Sequence, residues 1–219
     1  MKVLGIDDAG RGPVLGPMTL AGVIIDEKDE PKIKALNAKD SKLLSPLQRR
    51  KIAESLRPKF THHIVKSSPK QIDDSTNLNY LEAIKTAEII NHLTKNLKEK
   101  TTAVVDCPSV NIESWSNDVQ QLLKNPKQII LKCEHKADAN HPIVGAASIL
   151  AKESREDEVY KLKQKYKIDF GSGYPADPKT KKFITENFDN EKYSPIIRFS
   201  WNTVKKLFKA KNSSQKKLF

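Results

Sequence analysis

The chain has 219 residues with 39 Lys and Arg against 27 Asp and Glu, a formal net charge of +12, and is long enough to bury the core of one large domain. No run approaches the roughly 18 apolar residues that cross a bilayer, and the opening Met1 to Asp8 lacks the apolar stretch of a signal peptide, so a soluble cytoplasmic protein is expected. Two cysteines, Cys107 and Cys133, are too few and too far apart for a zinc knuckle or a disulfide framework, which fits a reducing compartment. The positive excess favours a polyanionic partner, nucleic acid or an anionic membrane surface. Six lysines and no acid lie between Asn202 and Phe219, so half of the net charge sits in the tail.

In chain order, Val3 to Ile6 reads as a strand, Asp7 to Gly16 as a glycine-rich turn, and Thr19 to Ile25 as a second, β-branched strand. Gly10, Gly12 and Gly16 in one turn suggest positive φ and close backbone approach, more than a plain hairpin needs. Ser45-Pro46-Leu47-Gln48 opens a helix to about Leu56, with Ser as cap, Pro at the first position and Gln three residues on. Thr61 to Val65 reads as a strand. From Leu78 to Leu97, apolar residues at Leu81, Ile84, Ala87, Ile90, Leu93 and Leu97 mark an amphipathic helix. Thr101 to Val105 and Gln128 to Leu131 read as short strands, Ile143 to Tyr166 as a long helix, and 178 to 188 and 201 to 209 as further helices. Strands mixed with helices argue for an α/β domain with a mixed sheet flanked by helices.

Four acids stand where such a sheet builds sites, at strand ends and helix starts. Asp7 and Asp8 follow the first strand, Asp106 follows the Thr101 run, and Asp138 precedes the long helix. Oxygen ligands without a Cys/His cluster suit two Mg²⁺ or Mn²⁺ rather than zinc. A pair of such ions, roughly 3.5 to 4 Å apart, can activate water and stabilise the leaving oxygen of a phosphodiester. Neighbours on a regular strand point to opposite faces, so Asp7 and Asp8 converge only if the strand breaks between them. Read without that break, Asp8 solvates a turn and Asp138 is a helix-capping or surface acid.

Asp7-Asp8-Ala9-Gly10-Arg11-Gly12-Pro13 resembles the first motif of ribonuclease HII, the type 2 ribonuclease H. Lys39-Asp40-Ser41-Lys42 is similar to the family's second block, Val105-Asp106 to its third, and Lys136-Ala137-Asp138 with Ala146 to Lys152 to its fourth. Gly171-Ser172-Gly173-Tyr174-Pro175 resembles its tyrosine segment, and Arg198-Phe199-Ser200-Trp201 its archaeal and eukaryotic closing motif. The resemblance implies a ribonuclease H fold and two divalent ions on Asp7, Asp8, Asp106 and Asp138. It also implies cleavage of the RNA strand of RNA/DNA hybrids, and at single ribonucleotides in duplex DNA, leaving a 3′-hydroxyl and a 5′-phosphate. Gly10, Arg11 and Gly12 would contact the ribose 2′-hydroxyl, which distinguishes RNA from DNA, and Tyr174 would pack on the neighbouring deoxyribose unless it is a core tyrosine. Ser41, Lys42, Ser148 and Lys152 would hold phosphates; Arg155 matches a family arginine, with a helix salt bridge to Glu158 as the structural alternative.

Three residues depart from the family pattern: Asp8 stands for a Glu, Glu153 for a small apolar residue, and Glu156 for an Asp. The tail Gln215-Lys216-Lys217-Leu218-Phe219 resembles a shortened sliding-clamp peptide, against the alternative of a disordered basic tail. Asp73-Asp74, before the Leu78 helix, reads as capping and dipole complementarity; His135 reads as a surface or packing residue, against the alternative of a proton donor beside Asp138, and His62 and His63 need no catalytic role. The expected architecture is one catalytic domain over residues 1 to 200 with its C-terminal helices, and a basic tail over 201 to 219, acting as a monomer in ribonucleotide removal and primer processing. The rivals are another two-metal nuclease of the same fold, and a weakly catalytic hybrid-binding protein in which Asp8 marks lost activity.

Overall fold

The computed structural model describes residues 1–36 and 44–215. The chain divides into two compact units, the first made of Met1–Ala9, Thr19–Val65 and Asn77–Ser154, the second of Gly10–Met18, Lys66–Thr76 and the chain from Arg155 onward. Among the described residues no helix is long and apolar enough to cross a membrane.

The first unit is built on a five-stranded sheet in the order β3-β2-β1-β4-β5, with β1 Lys2–Ala9, β2 Met18–Asp26, β3 Thr61–Ser67, β4 Thr101–Asp106 and β5 Ile129–Glu134. β1 runs antiparallel to β2 and parallel to β4, and β4 parallel to β5, which is the mixed sheet the sequence predicts. Its helices are α1 Glu30–Lys34, α2 Pro46–Leu56, α4 Leu78–Thr94, α5 Ile112–Gln121 and α6 Ala137–Asn140; α3 Pro69–Asp74 belongs to the second unit, and α7 Pro142–Tyr166 is shared in sequence by both, the division falling after Ser154. α2 starts as expected, on a reciprocal Ser45–Gln48 capping box with Pro46 in the first turn.

One condition fails and one expectation holds only in part, in ways that matter for the site. First, β1 does not break between Asp7 and Asp8: it stays paired through Asp7↔Ala21, Asp8↔Leu20 and Ala9↔Thr19. Second, the buried face of α4 is Glu82, Ala83, Thr86, Ala87, Ile89, Ile90 and Thr94, whereas Ile84 is 37% exposed. The stripe is rotated because polar residues occupy core positions that an apolar periodicity cannot register.

The two sheet faces can be assigned from close approaches. A Cβ on Gly5 would lie 2.5 Å from the Ile143 carbonyl carbon, so this side of β1 faces the start of α7; a Cβ on Gly22 would lie 2.3 Å from a methyl of Ile89, so the other side faces α4. Apolar residues of β1, β2 and β4 together with Ile143, Val144, Ala146, Ala147, Ile149 and Leu150 form one continuous core.

The second unit contains α8 Pro178–Asn187 and α9 Asn202–Gln215 around a core of Val14, Leu15, Val159, Phe170, Ile184 and Ile196. Val204 is fully buried there, and Leu207 and Phe208 pack against it. The first turns of α9, expected as the beginning of a tail, are therefore part of this unit.

Candidate active site

The carboxylates belong to the first unit. Parallel pairing of β1 with β4 ends at Ile6↔Val105, and one further step along both strands brings Asp7 beside Asp106, about 5 Å from strand to strand. Both lie on the α7 side with Gly5, since side chains alternate along a strand. Ser148 of α7, itself fully buried, donates its hydroxyl to the Asp7 carboxylate, and Asp106 Oδ1 accepts the Ala137 N–H at 2.9 Å. That bond fixes the start of α6, where the next residue is Asp138, 4% exposed. A surface role for Asp138 is thus excluded. Asp8, one residue along the unbroken strand, belongs to the α4 side.

Burial and then the charge of Asp8 hold the Asp7 carboxyl well above the usual carboxylate range; Asp106 adds to this, while the Ser148 hydroxyl and the Asp8 N–H, 2.7 Å from Asp7 Oδ1, act in the opposite direction. Like charges and low dielectric together disfavour the ionised state. Among the described residues no three His, Cys, Asp or Glu side chains stand close enough as they are to hold a metal ion. The donor set nevertheless fits a hard divalent ion: every candidate ligand is oxygen, and the most buried carboxyl is destabilised by the negative charge that a cation would neutralise.

Other residues of this unit settle smaller questions. Lys152 is half-buried. Glu153, expected to disturb a helix surface, is instead 4% exposed and receives the Arg49 Nε–H at 2.6 Å, with Arg50 3.6 Å away. An arginine thus compensates the departure.

The glycine loop belongs to the second unit. Gly10 has φ +88°, and a Cβ there would fall 2.4 Å from Arg155 Cδ, so conformation and space both require glycine. Arg198, fully buried, donates to the carbonyls of Gly10 at 2.7 Å, Arg11 at 3.1 Å and Gly16 at 2.9 Å. Trp201 Nε1 donates to the Gly12 carbonyl at 3.1 Å. Burial and the nearby Arg155 guanidinium push the Arg198 pKa down to about 9. Asp73 accepts the Phe199 and Ser200 N–H groups at 2.8 and 2.9 Å and the Ser200 hydroxyl. The capping role expected of Asp73 is taken by Asn77, whose side chain accepts from Asn79 and Tyr80 at the start of α4.

Arg155 is 3% exposed and donates to the Ser172 carbonyl at 3.1 Å. Its guanidinium lies 5.2 Å from the Tyr174 ring centroid. The alternative bridge to Glu158 is not formed: Glu158 is held by Lys66 and Lys161. Tyr174 is 42% exposed, which excludes a core role, and a Cβ on Gly12 would sit 3.5 Å from its ring. Ser41, Lys42, Leu218 and Phe219 lie outside the described residues, as does the Gln215 side chain. Sequence reasoning missed Glu82 and the part played by Asp73; only a Glu inside a helical apolar stripe could have signalled the first, and no local signal marks the second.

Residues 4–204 match the family model for Ribonuclease HII. The Ribonuclease HII of Pyrococcus furiosus is 41% identical over 220 residues, covering 97% of this chain and 95% of that protein. Similar solved structures include the ribonuclease H2 of Pyrococcus horikoshii, with TM-score 0.82, 39% identity and coverage of 94% and 97% of the two chains, and the ribonuclease of the PCNA:RNase HII complex from Archaeoglobus fulgidus, with TM-score 0.81, 36% identity and coverage of 92% and 96%.

Proposed function

Because the chain belongs to the ribonuclease HII family, it is a ribonuclease H, a hydrolase acting on the RNA of RNA/DNA hybrids, and we propose that it works through divalent cations held by Asp7, Asp106 and Asp138, with Asp8 reaching the same cavity from the α4 side of the unbroken strand. The observation that carries this reading is the burial of Asp7 beside Asp8 and Asp106 around one cavity, where burial first and then their charge raise its carboxyl. Bound divalent ions, Mg²⁺ or Mn²⁺, supply charge neutralisation, a water of lowered pKa and stabilisation of the leaving 3′-oxygen. The protein groups do the rest. Ser148 orients Asp7 by its hydroxyl, and the Ala137 N–H orients Asp106. Lys152, with Ser41 and Lys42, is assigned to the phosphates of the duplex.

Recognition of a ribonucleotide is assigned to Gly10, Arg11 and Gly12, whose carbonyls are fixed by Arg198 and Trp201, so that the loop's remaining groups can meet a 2′-hydroxyl without reorganising. Tyr174, partly exposed and backed by Arg155, offers a flat face to a sugar. Cleavage at a lone ribonucleotide in duplex DNA, leaving a 3′-hydroxyl and a 5′-phosphate, follows from these roles. The test is a duplex with a single ribonucleotide, incubated with each metal and the cut mapped, beside an all-DNA duplex. Asp8→Glu, restoring one methylene, is expected to raise the rate; absence of metal-dependent cleavage by either form would refute the proposal.

The relative in the Archaeoglobus complex was solved with PCNA, and by that likeness Gln215, Leu218 and Phe219 are assigned to docking on a sliding clamp. Pull-down with a clamp, before and after deletion of the last five residues, decides it.

A further inference from the structure

One acidic side chain of the first unit has no part in the chemistry so far. α4 turns Ala83, Ala87, Ile89 and Ile90 inward, and on the same face carries Glu82, 1% exposed. A carboxylate at a core position of a helix is the informative kind of burial, because its desolvation is costly unless its surroundings repay it. Its surroundings identify a role. Glu82, with Thr86 one turn further on, lines a cavity of about 10 Å³, room for one water, that Asp7, Asp8 and Asp106 also line.

The unbroken β1 gives this cavity two sides. Asp7 and Asp106 belong to the α7 side and Asp8 to the α4 side, the side from which Glu82 comes. Asp8 is one methylene shorter than the family's Glu, so negative charge reaches less far from the strand there. Glu82 brings the longer side chain from the opposing helix. Glu82 and these aspartates meet across a cavity with room for one water, so action through water is the arrangement this geometry favours.

We propose that Glu82 is an additional acidic group of the metal centre, a positioning residue that adds negative charge on the α4 side and accepts hydrogen bonds from cation-held water. The inference rests on the metal-dependent reading above, and the experiment separates the two. Full-length protein without nucleic acid is titrated with Mn²⁺, free Mn²⁺ being followed by electron paramagnetic resonance, for the parent, Glu82→Gln, Glu82→Asp and Asp7→Asn. Glu82→Gln is expected to weaken binding about tenfold, as outer groups of metal sites do, and Glu82→Asp to fall between it and the parent. The metal-free melting temperature of Glu82→Gln should equal or exceed the parent's, because a like charge has been removed; a purely structural Glu would lower it.

The inference is overturned if Glu82→Gln binds Mn²⁺ like the parent while Asp7→Asn does not, or if Glu82→Gln melts lower without metal and binds Mn²⁺ unchanged once folded. Should Glu82→Gln fail to fold, Glu82→Asp decides, and parental affinity there overturns it. If Asp7→Asn also binds like the parent, the metal-centre reading itself fails, whatever Glu82 does.

Discussion

The carboxylate cavity of the first unit and the glycine loop of the second solve opposite problems. In the first, the groups are charged, buried and mutually repulsive, and the Asp7 carboxyl is held far above its ordinary range by that crowding. In the second, the carbonyls of Gly10, Arg11 and Gly16 accept hydrogen bonds from the Arg198 guanidinium and that of Gly12 from the Trp201 indole. One region stores unfavourable electrostatics that a ligand can relieve; the other is settled beforehand and needs nothing further to hold its shape. The lesson is that function and folding stability pull apart in the first and together in the second.

That contrast can be broken by substitution. Asp7→Asn should give the largest effect, loss of cleavage on the order of 10³-fold or more, measured on a single-ribonucleotide duplex. Its metal-free stability should nevertheless rise at neutral pH. The sign follows from the raised pKa: the folded state binds the proton more tightly than the unfolded one, so ionisation of Asp7 destabilises the fold as pH climbs above the ordinary carboxylate value, and an amide removes that loss. Denaturant melts with and without Asp7 would show it, and a variant less stable than the parent at pH 7 would contradict it.

Arg198→Met should reverse the pattern. Three carbonyls of the loop lose a buried donor, costing about 3 kcal/mol or more, and KM for the single-ribonucleotide duplex should rise with the loosened loop. Urea unfolding together with steady-state kinetics checks both, and unchanged stability would show that water replaces the guanidinium.

The smallest effect is expected from Asp177, half-buried at the start of α8. Hydrogen bonds from Ser172, and then from the Lys179 N–H, hold its carboxyl down to about 2. A depressed pKa stabilises the fold above the ordinary carboxylate range, and this is lost as pH falls toward 2. Asp177→Asn should therefore melt slightly below the parent at pH 6 to 8, with the gap closing in acid. A gap that persists at pH 2 would place the contribution in the cap geometry alone.

The sequence made the sheet order's ingredients, the α2 cap and the strand-end placement of Asp7, Asp8 and Asp106 legible, because strand alternation, a Ser-Pro-x-Gln cap and acids at strand ends are local patterns. What it hid was non-local. Asp73 looked like a cap because its neighbours in sequence are Ser75 and Thr76, whereas its partners are 126 and 127 residues away. Glu82 was invisible to a periodicity that counts only apolar residues, and α5 carries its Trp115 and Val119 too sparsely to stand out. The break on which convergence of Asp7 and Asp8 would depend is absent from β1, which stays paired through both residues. Each faces a different helix, and the cavity gathers them at its rim.

Gly5 carries no chemistry, yet it works as a gauge. Any side chain there would meet the main chain of Ile143 and Val144, and the helix would have to back away from the strand. Ser148 lies little more than one turn further along that same helix, so its hydroxyl would withdraw from the carboxylate two residues beyond the glycine. An alanine at position 5 would thus be felt as a change in how an acid is oriented, at a place where nothing titrates, binds or reacts.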